Sequence, residues 1–171
     1  MKTLILMRHA KSAWDAGDLS DHDRPLSERG RAAAPIMGQW LKSNRMRPDL
    51  ILCSTAKRAT ETLEAVSEYL PKTTETCRLE TLYMALPREI LAAIAKVKAD
   101  TLMLIGHNPG IGSLAHWLAG DGDPKQLARM QDKFPTGAIA IIEFNVDSWQ
   151  DIDGEQGRLL NFASPKELPK A

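Results

Sequence analysis

Two uninterrupted apolar runs set the strongest limit on what this chain can fold into: Thr3 to Met7 in "TLILM", and Leu102 to Ile105 in "LMLI". Neither alternates apolar with polar residues, as a strand with one wet face would. Each therefore reads as a strand covered on both faces, the pattern of a parallel sheet in an α/β protein. Each also ends on chemically capable side chains. Arg8 and His9 follow the first run, and Gly106 and His107 follow the second.

Between and after these runs the periodicity changes. "PLSERGRAAAPIMGQWLKS" offers Ser27 as an N-cap and carries Ile36, Met37, Trp40 and Leu41 at helical spacing; Pro35 predicts a kink or a later start. "RPDLILCS" reads as a strand ending at Ser54, and "STAKRATETLEAVSEYL" places Leu63, Val66 and Leu70 on one helical face. "CRLETLY" is a third strand candidate, followed by a helix from Pro87 to about Lys98. Ile111, Leu114, Ala115 and Leu118 mark a short helix closed by Gly120, and residues 121–135 read as polar and weakly helical. "GAIAIIEF" and "GRLLNFA" are the last strands, and residues 164–171 read as an exposed tail. Strands alternating with helices over 171 residues predict a single domain, 1–171, of the three-layer α/β/α class with a mostly parallel central sheet. Ligands of such sheets bind at the carboxyl ends of the strands. Three of those ends here are Arg8-His9, Ser54 to Arg58, and His107-Asn108.

Charge narrows the class of ligand. Lys plus Arg and Asp plus Glu each number 22, so no global field draws nucleic acid or an anionic membrane, and any anion site must be local. The run before Arg8 is too short for a signal-peptide core, and no run approaches the ~20 residues of a spanning helix. A cytoplasmic location is expected. Cys53 and Cys77 form neither a disulfide framework nor a spaced metal motif, and both read as small core residues. The scattered carboxylates show no ligand spacing, so no metal is expected. Two histidines and two arginines just past strand ends suit a phosphoryl group. Guanidinium forks match its oxygens and stay charged, imidazole can attack phosphorus, and a flanking cation disfavours protonation of the ring. His22, in a charged loop, and His116, off the apolar stripe of its helix, read as surface or hydrogen-bonded residues.

"LMRHAKSAWD", "DRPLSERGRAAA", "STAKRATETL" and "LIGHNPGI" together resemble the sequence blocks of the histidine phosphatase superfamily, and "RHAKS", "DRPLSERG" and "GHNPG" are most similar to its SixA type, the phosphohistidine phosphatases. The resemblance implies a phosphoglycerate mutase-like fold and a phosphatase without cofactors. It implies that His9 is the nucleophile and is phosphorylated during turnover, while Arg8, Arg58 and His107 bind the transferring group. Ala10 stands where most members have Gly and is expected to narrow the pocket. Asp15 stands where many have Asn and is expected to point away or to pair with an arginine, which leaves Ser12 as the auxiliary phosphate donor.

Members acting on alkyl esters use a Glu or Asp to protonate the leaving oxygen. Glu80 is the nearest candidate, in a loosely matching context. That loose match, with the few residues between "CRLETLY" and the next helix, predicts an open site for phosphohistidine on another protein, such as a phosphorelay domain. A phosphatase or mutase acting on small phosphate monoesters is the alternative, and an inactive phosphoprotein-binding module the second alternative; neither nucleic acid nor membrane is an expected partner. A nucleophilic His9 also predicts activity that falls at acidic pH, with no flat rate persisting to about pH 4.

Overall fold

The computed structural model describes residues 1–15 and 17–170. The two apolar runs lie at its centre as adjacent strands, β1 (Lys2–Arg8) and β4 (Thr101–Gly106), paired in parallel from Thr3 opposite Thr101 to Arg8 opposite Gly106. Their lack of alternation has the expected cause. Leu4, Leu6, Leu102 and Leu104 enter one hydrophobic cluster, and Ile5, Met7, Met103 and Ile105 enter another on the opposite face. All eight are fully buried, each worth about 1.5–3 kcal/mol relative to exposure.

The remaining elements are α1 (Glu28–Ser43), β2 (Leu50–Ser54), α2 (Lys57–Ser67), β3 (Glu75–Leu79), α3 (Pro87–Ile94), α4 (Gly110–Leu118), β5 (Ala119–Gly122), α5 (Pro124–Asp132), β6 (Ile139–Phe144) and β7 (Gly157–Ala163). The sheet order is β3-β2-β4-β1-β6-β7-β5, and the pairings make β6 the one strand that runs against the others. Helices α1 and α2 bury Met37, Leu41, Leu63 and Val66 in one cluster; α3, α4 and α5 bury Ile90, Ile94, Ile111, Leu114 and Met130 in the other. The result is a three-layer α/β/α architecture of the phosphoglycerate mutase-like kind.

Register then brings distant residues together. Arg8 pairs with Gly106, and Cys53 pairs with Ile105, so Ser54 ends level with Gly106 and Arg8. The polar residues that follow β1, β2 and β4 emerge along one edge.

Helix α1 starts at Ser27, whose Oγ accepts the Gly30 N–H at 3.2 Å. Gly30 is required for close approach: a Cβ there would lie 2.1 Å from the Lys11 carbonyl oxygen, in the segment that leaves His9. Pro35 neither delays nor ends the helix. One lost hydrogen bond is outweighed by the burial of Ala34, Met37, Gly38 and Leu41 around it.

Several expectations need correction. β3 covers Glu75–Leu79, and Glu80–Leu82 form a 3-10 turn rather than continued strand. The helix from Pro87 ends at Ile94, not near Lys98. Residues after Leu118 form β5, whose Gly-Asp-Gly composition hides a strand, and then α5, capped by Asp123 accepting from the Lys125 and Gln126 N–H groups. The terminal segment is anchored, not wholly exposed: Ser164 is buried and Leu168 packs against the α1/α2 cluster. Cys53 is a core residue, but Cys77 is exposed on the edge strand β3. Among the described residues no helix is long and apolar enough to cross a membrane.

Candidate active site

The edge shared by β1, β2 and β4 carries a cavity of about 200 Å³ lined by Arg8, His9, Arg58 and His107, together with Ser12, Asp21, Arg24 and Asn108. The four residues singled out for a phosphoryl group are thus brought together from segments up to about a hundred positions apart. Including Lys11, four cations line the cavity against one carboxylate, Asp21.

His9 leaves β1 with its N–H bonded to the Gly106 carbonyl at 3.0 Å. Its Nδ1 lies 2.7 Å from the Ala10 carbonyl oxygen. A carbonyl can only accept, so Nδ1 carries the hydrogen and Nε2 holds the free lone pair. Burial pushes the ring's pKa down to about 3; the Ala10 bond opposes this, and the charges of His107, Arg58 and Arg8 reinforce it. His9 is therefore a neutral imidazole with a defined tautomer at any ordinary working pH.

The His107 ring centroid lies 5.1 Å from that of His9. Its Nε2 is 2.7 Å from Ser54 Oγ, which in turn accepts the Ala56 N–H at 3.2 Å. Burial, followed by the Arg58 charge, lowers its pKa to about 4. Arg8 donates from Nη1 to the Phe134 carbonyl at 3.1 Å, and Asn108 Nδ2 donates to the same oxygen at 2.9 Å. The Nε atoms of Arg8 and Arg58 and the Nδ1 of His107 are buried without a hydrogen-bond partner among the described residues.

Arg58, only 2% exposed, extends from the first turn of α2 to Asp21, donating from Nη1 to its backbone oxygen at 2.7 Å and from Nη2 to its Oδ2 at 3.1 Å. The Tyr83 hydroxyl also donates to Asp21 Oδ2, and Arg24 donates to Oδ1 at 3.1 Å. The Tyr83 hydrogen bond, with Arg24 and Arg58, holds the Asp21 carboxyl far below the usual carboxylate range. Arg24 also donates to Ser12 Oγ at 2.8 Å and covers the exposed Trp14 ring at 4.0 Å. With its oxygen already accepting, buried Ser12 keeps its own hydrogen for another acceptor.

Three further residues singled out in the sequence lie outside the cavity lining. Glu80 is exposed on the 3-10 turn and is not part of the cavity lining. Asp15 is exposed and outside the lining, in line with its expected orientation away from the phosphoryl group. Ala10 does not narrow the cavity wall: its methyl belongs to a small buried cluster with Leu26 and Ala34. Asp21, Arg24 and Tyr83 escape sequence reasoning, whereas Asn108 lines the cavity from the strand end where the sequence places it. Asp21 lies in the acidic loop just ahead of "DRPLSERG" and Arg24 inside that block; nothing local marks Tyr83. His22, half-buried, has Nε2 2.9 Å from Thr55 Oγ1 and its ring against Tyr83, so its hydrogen-bonded reading stands.

Known proteins resemble this chain in both sequence and fold. The profile of the histidine phosphatase superfamily (branch 1) matches residues 4–82. An uncharacterized protein of Mycobacterium tuberculosis is 37% identical over 164 residues, covering 94% of this chain and all of that one. The phosphohistidine phosphatase SixA of Escherichia coli is 30% identical over 143 residues, 81% of this chain and 83% of its own. A solved structure from Agrobacterium tumefaciens superposes with a TM-score of 0.81 at 31% identity, over 96% of this chain and 98% of that one, and that of the protein histidine phosphatase SixA complexed with tungstate with a TM-score of 0.77 at 26% identity, over 96% and 98%. The chain belongs to the histidine phosphatase superfamily, as a phosphatase similar to SixA.

Proposed function

We propose that the protein dephosphorylates phosphohistidine on a partner protein through a phosphorylated His9. Cationic side chains hold the phosphoryl oxygens while the His9 Nε2 lone pair attacks phosphorus in line. The P–N bond of the substrate breaks as the P–Nε2 bond forms, and the departing ring, protonated from solvent on its other nitrogen, leaves as neutral imidazole. Water then attacks the phosphoenzyme, releasing phosphate and restoring His9. Charge spread over the equatorial oxygens is met by the Arg8 and Arg58 guanidiniums and by His107. An arriving dianion opposes the burial and the Arg58 charge that keep His107 neutral, which favours a proton on that ring during transfer.

The observation carrying this reading is the His9 ring itself, neutral, oriented through Nδ1 by the Ala10 carbonyl, and exposing Nε2 among arginines. The choice of phosphohistidine rests on the missing proton donor. Asp21, the one carboxylate in the lining, is held ionised and cannot protonate an alkoxide. Imidazole departs without that help, since its other ring nitrogen, with an ordinary pKa near 6.5, takes a proton from solvent near neutrality. The likeness to SixA supports the same choice.

A phosphohistidine protein or peptide is expected to be turned over with kcat/KM at least about 100-fold above that of phosphoglycerate or a sugar phosphate, a gap of roughly 2.7 kcal/mol. Comparable or better turnover of the small esters rejects the phosphohistidine reading and leaves the small-ester phosphatase.

Asp21→Asn separates an acid from a bystander. An amide Oδ1 still accepts from Arg58 and Tyr83, while one negative charge leaves the pocket. KM for an anionic substrate is expected to fall a few-fold with kcat nearly unchanged, since the charge repels substrate and transition state about equally. Collapse of kcat in steady-state assays would make Asp21 the proton donor.

The pH expectation drawn from the sequence changes sharply. A lowered pKa keeps the lone pair free to lower pH, so protonation of His9 is complete only well below the ordinary histidine range. With the substrate's own ionisation factored out, kcat/KM is expected to stay flat from neutrality to about pH 5 and to fall only as pH approaches 4 and below. An inflection near 6.5 would mean that the nucleophile is not this buried ring.

A further inference from the structure

A trough of about 300 Å³ opens beside the catalytic cavity and shares Lys11 and Thr136 with it. Its walls come from the first turn of α1, the end of α5 and the anchored terminal segment. Five cations, Lys11, Arg29, Arg129, Lys133 and Lys166, face two carboxylates, Asp132 and Glu167. Arg129 is paired with Glu167; the other four cations are in no ion pair among the described residues. The chain as a whole has no net charge. This trough is therefore a local concentration of three excess positive charges that repel one another until an anion arrives.

We propose that the trough binds an acidic segment of the phosphoprotein substrate, whose carboxylates lie there while its phosphoryl group occupies the adjoining cavity. The inference rests on the phosphohistidine reading given above. Continuity with the cavity fits one polypeptide that reaches both sites. A nucleic-acid strand fits less well, because it needs open aromatic faces to stack on. The trough's one aromatic ring, Phe162, is buried, with the Arg129 guanidinium 5.5 Å from its centroid. Charge of this kind steers encounter and selects among partners, and salt weakens it.

The test uses two synthetic peptides of equal length carrying a non-hydrolysable phosphohistidine analogue, one flanked by glutamates and the other by glutamines. Binding to the full chain is measured by fluorescence anisotropy at low and high salt. The glutamate peptide is expected to bind about ten-fold tighter at low salt, with the preference shrinking at high salt and vanishing in the Lys133→Glu/Lys166→Glu protein. That double variant should hydrolyse a small phosphoramidate at the parent rate, which shows its cavity intact. Equal affinity for the two peptides, no binding of either, a preference that survives the double variant, or tighter binding of an oligonucleotide would each overturn the assignment. Phosphohistidine turnover by the parent is read separately. Its absence defeats the proposed function, while a charge preference measured without turnover leaves the trough standing.

Discussion

The His9→Ala protein loses phosphatase turnover by a factor on the order of 10⁴ or more, and no labelled phosphoenzyme can be trapped from it. The variant deletes the only group proposed to bond to phosphorus and leaves Arg8, Arg58 and His107 in place. Oxyanion binding should therefore survive within a few-fold while chemistry disappears. Rapid-quench trapping with labelled substrate, alongside equilibrium binding of vanadate, reads the two separately. Turnover within ten-fold of the parent, or a phosphoenzyme still formed, would take the nucleophile away from His9. A parent that binds phosphoprotein but shows neither turnover nor phosphoenzyme would be the inactive binding module instead.

Arg58→Lys lowers kcat/KM by roughly 10²–10³-fold, the range for removing one preset donor to transition-state charge. Charge is conserved in this change, so the loss isolates geometry. The guanidinium holds Asp21 through both Nη atoms and has Nε buried and unpartnered. A single ammonium cannot bond the Asp21 loop and a phosphoryl oxygen in the same fixed arrangement. Most of the loss should fall on kcat, with the melting temperature only modestly reduced because the variant keeps one bond to Asp21. Near-parent turnover would remove Arg58 from the phosphoryl site.

The sheet was legible because its central strands are buried on both faces and so spell themselves as unbroken apolar runs. Their ends therefore point to Arg8, His9 and His107 from sequence alone, and β7 coincides to the residue with "GRLLNFA". β5 was hidden, since four residues containing two glycines carry no periodicity; α5 after it has only Met130 fully buried and offers a weak stripe. Pro35 misled for a related reason. A proline signals a local cost, whereas the burial that outweighs it is tertiary.

The site divided along the same line. Residues at strand ends inherit their position from register, which sequence pattern reveals. Asp21 and Tyr83 meet across 62 positions of chain and belong to no shared periodicity. Glu80 attracted attention as the nearest acid in sequence, and the 3-10 turn faces it to solvent.

The bond between the His9 ring and the Ala10 carbonyl has an evolutionary corollary. Hydrolases that orient a histidine with an aspartate can lose that orientation through one nucleotide change. Here the orienting oxygen is part of the polypeptide itself, present whatever residue occupies position 10. Mutational drift can reshape what surrounds the imidazole, and so which phosphorylated molecule is admitted, without unsettling which nitrogen is offered to it.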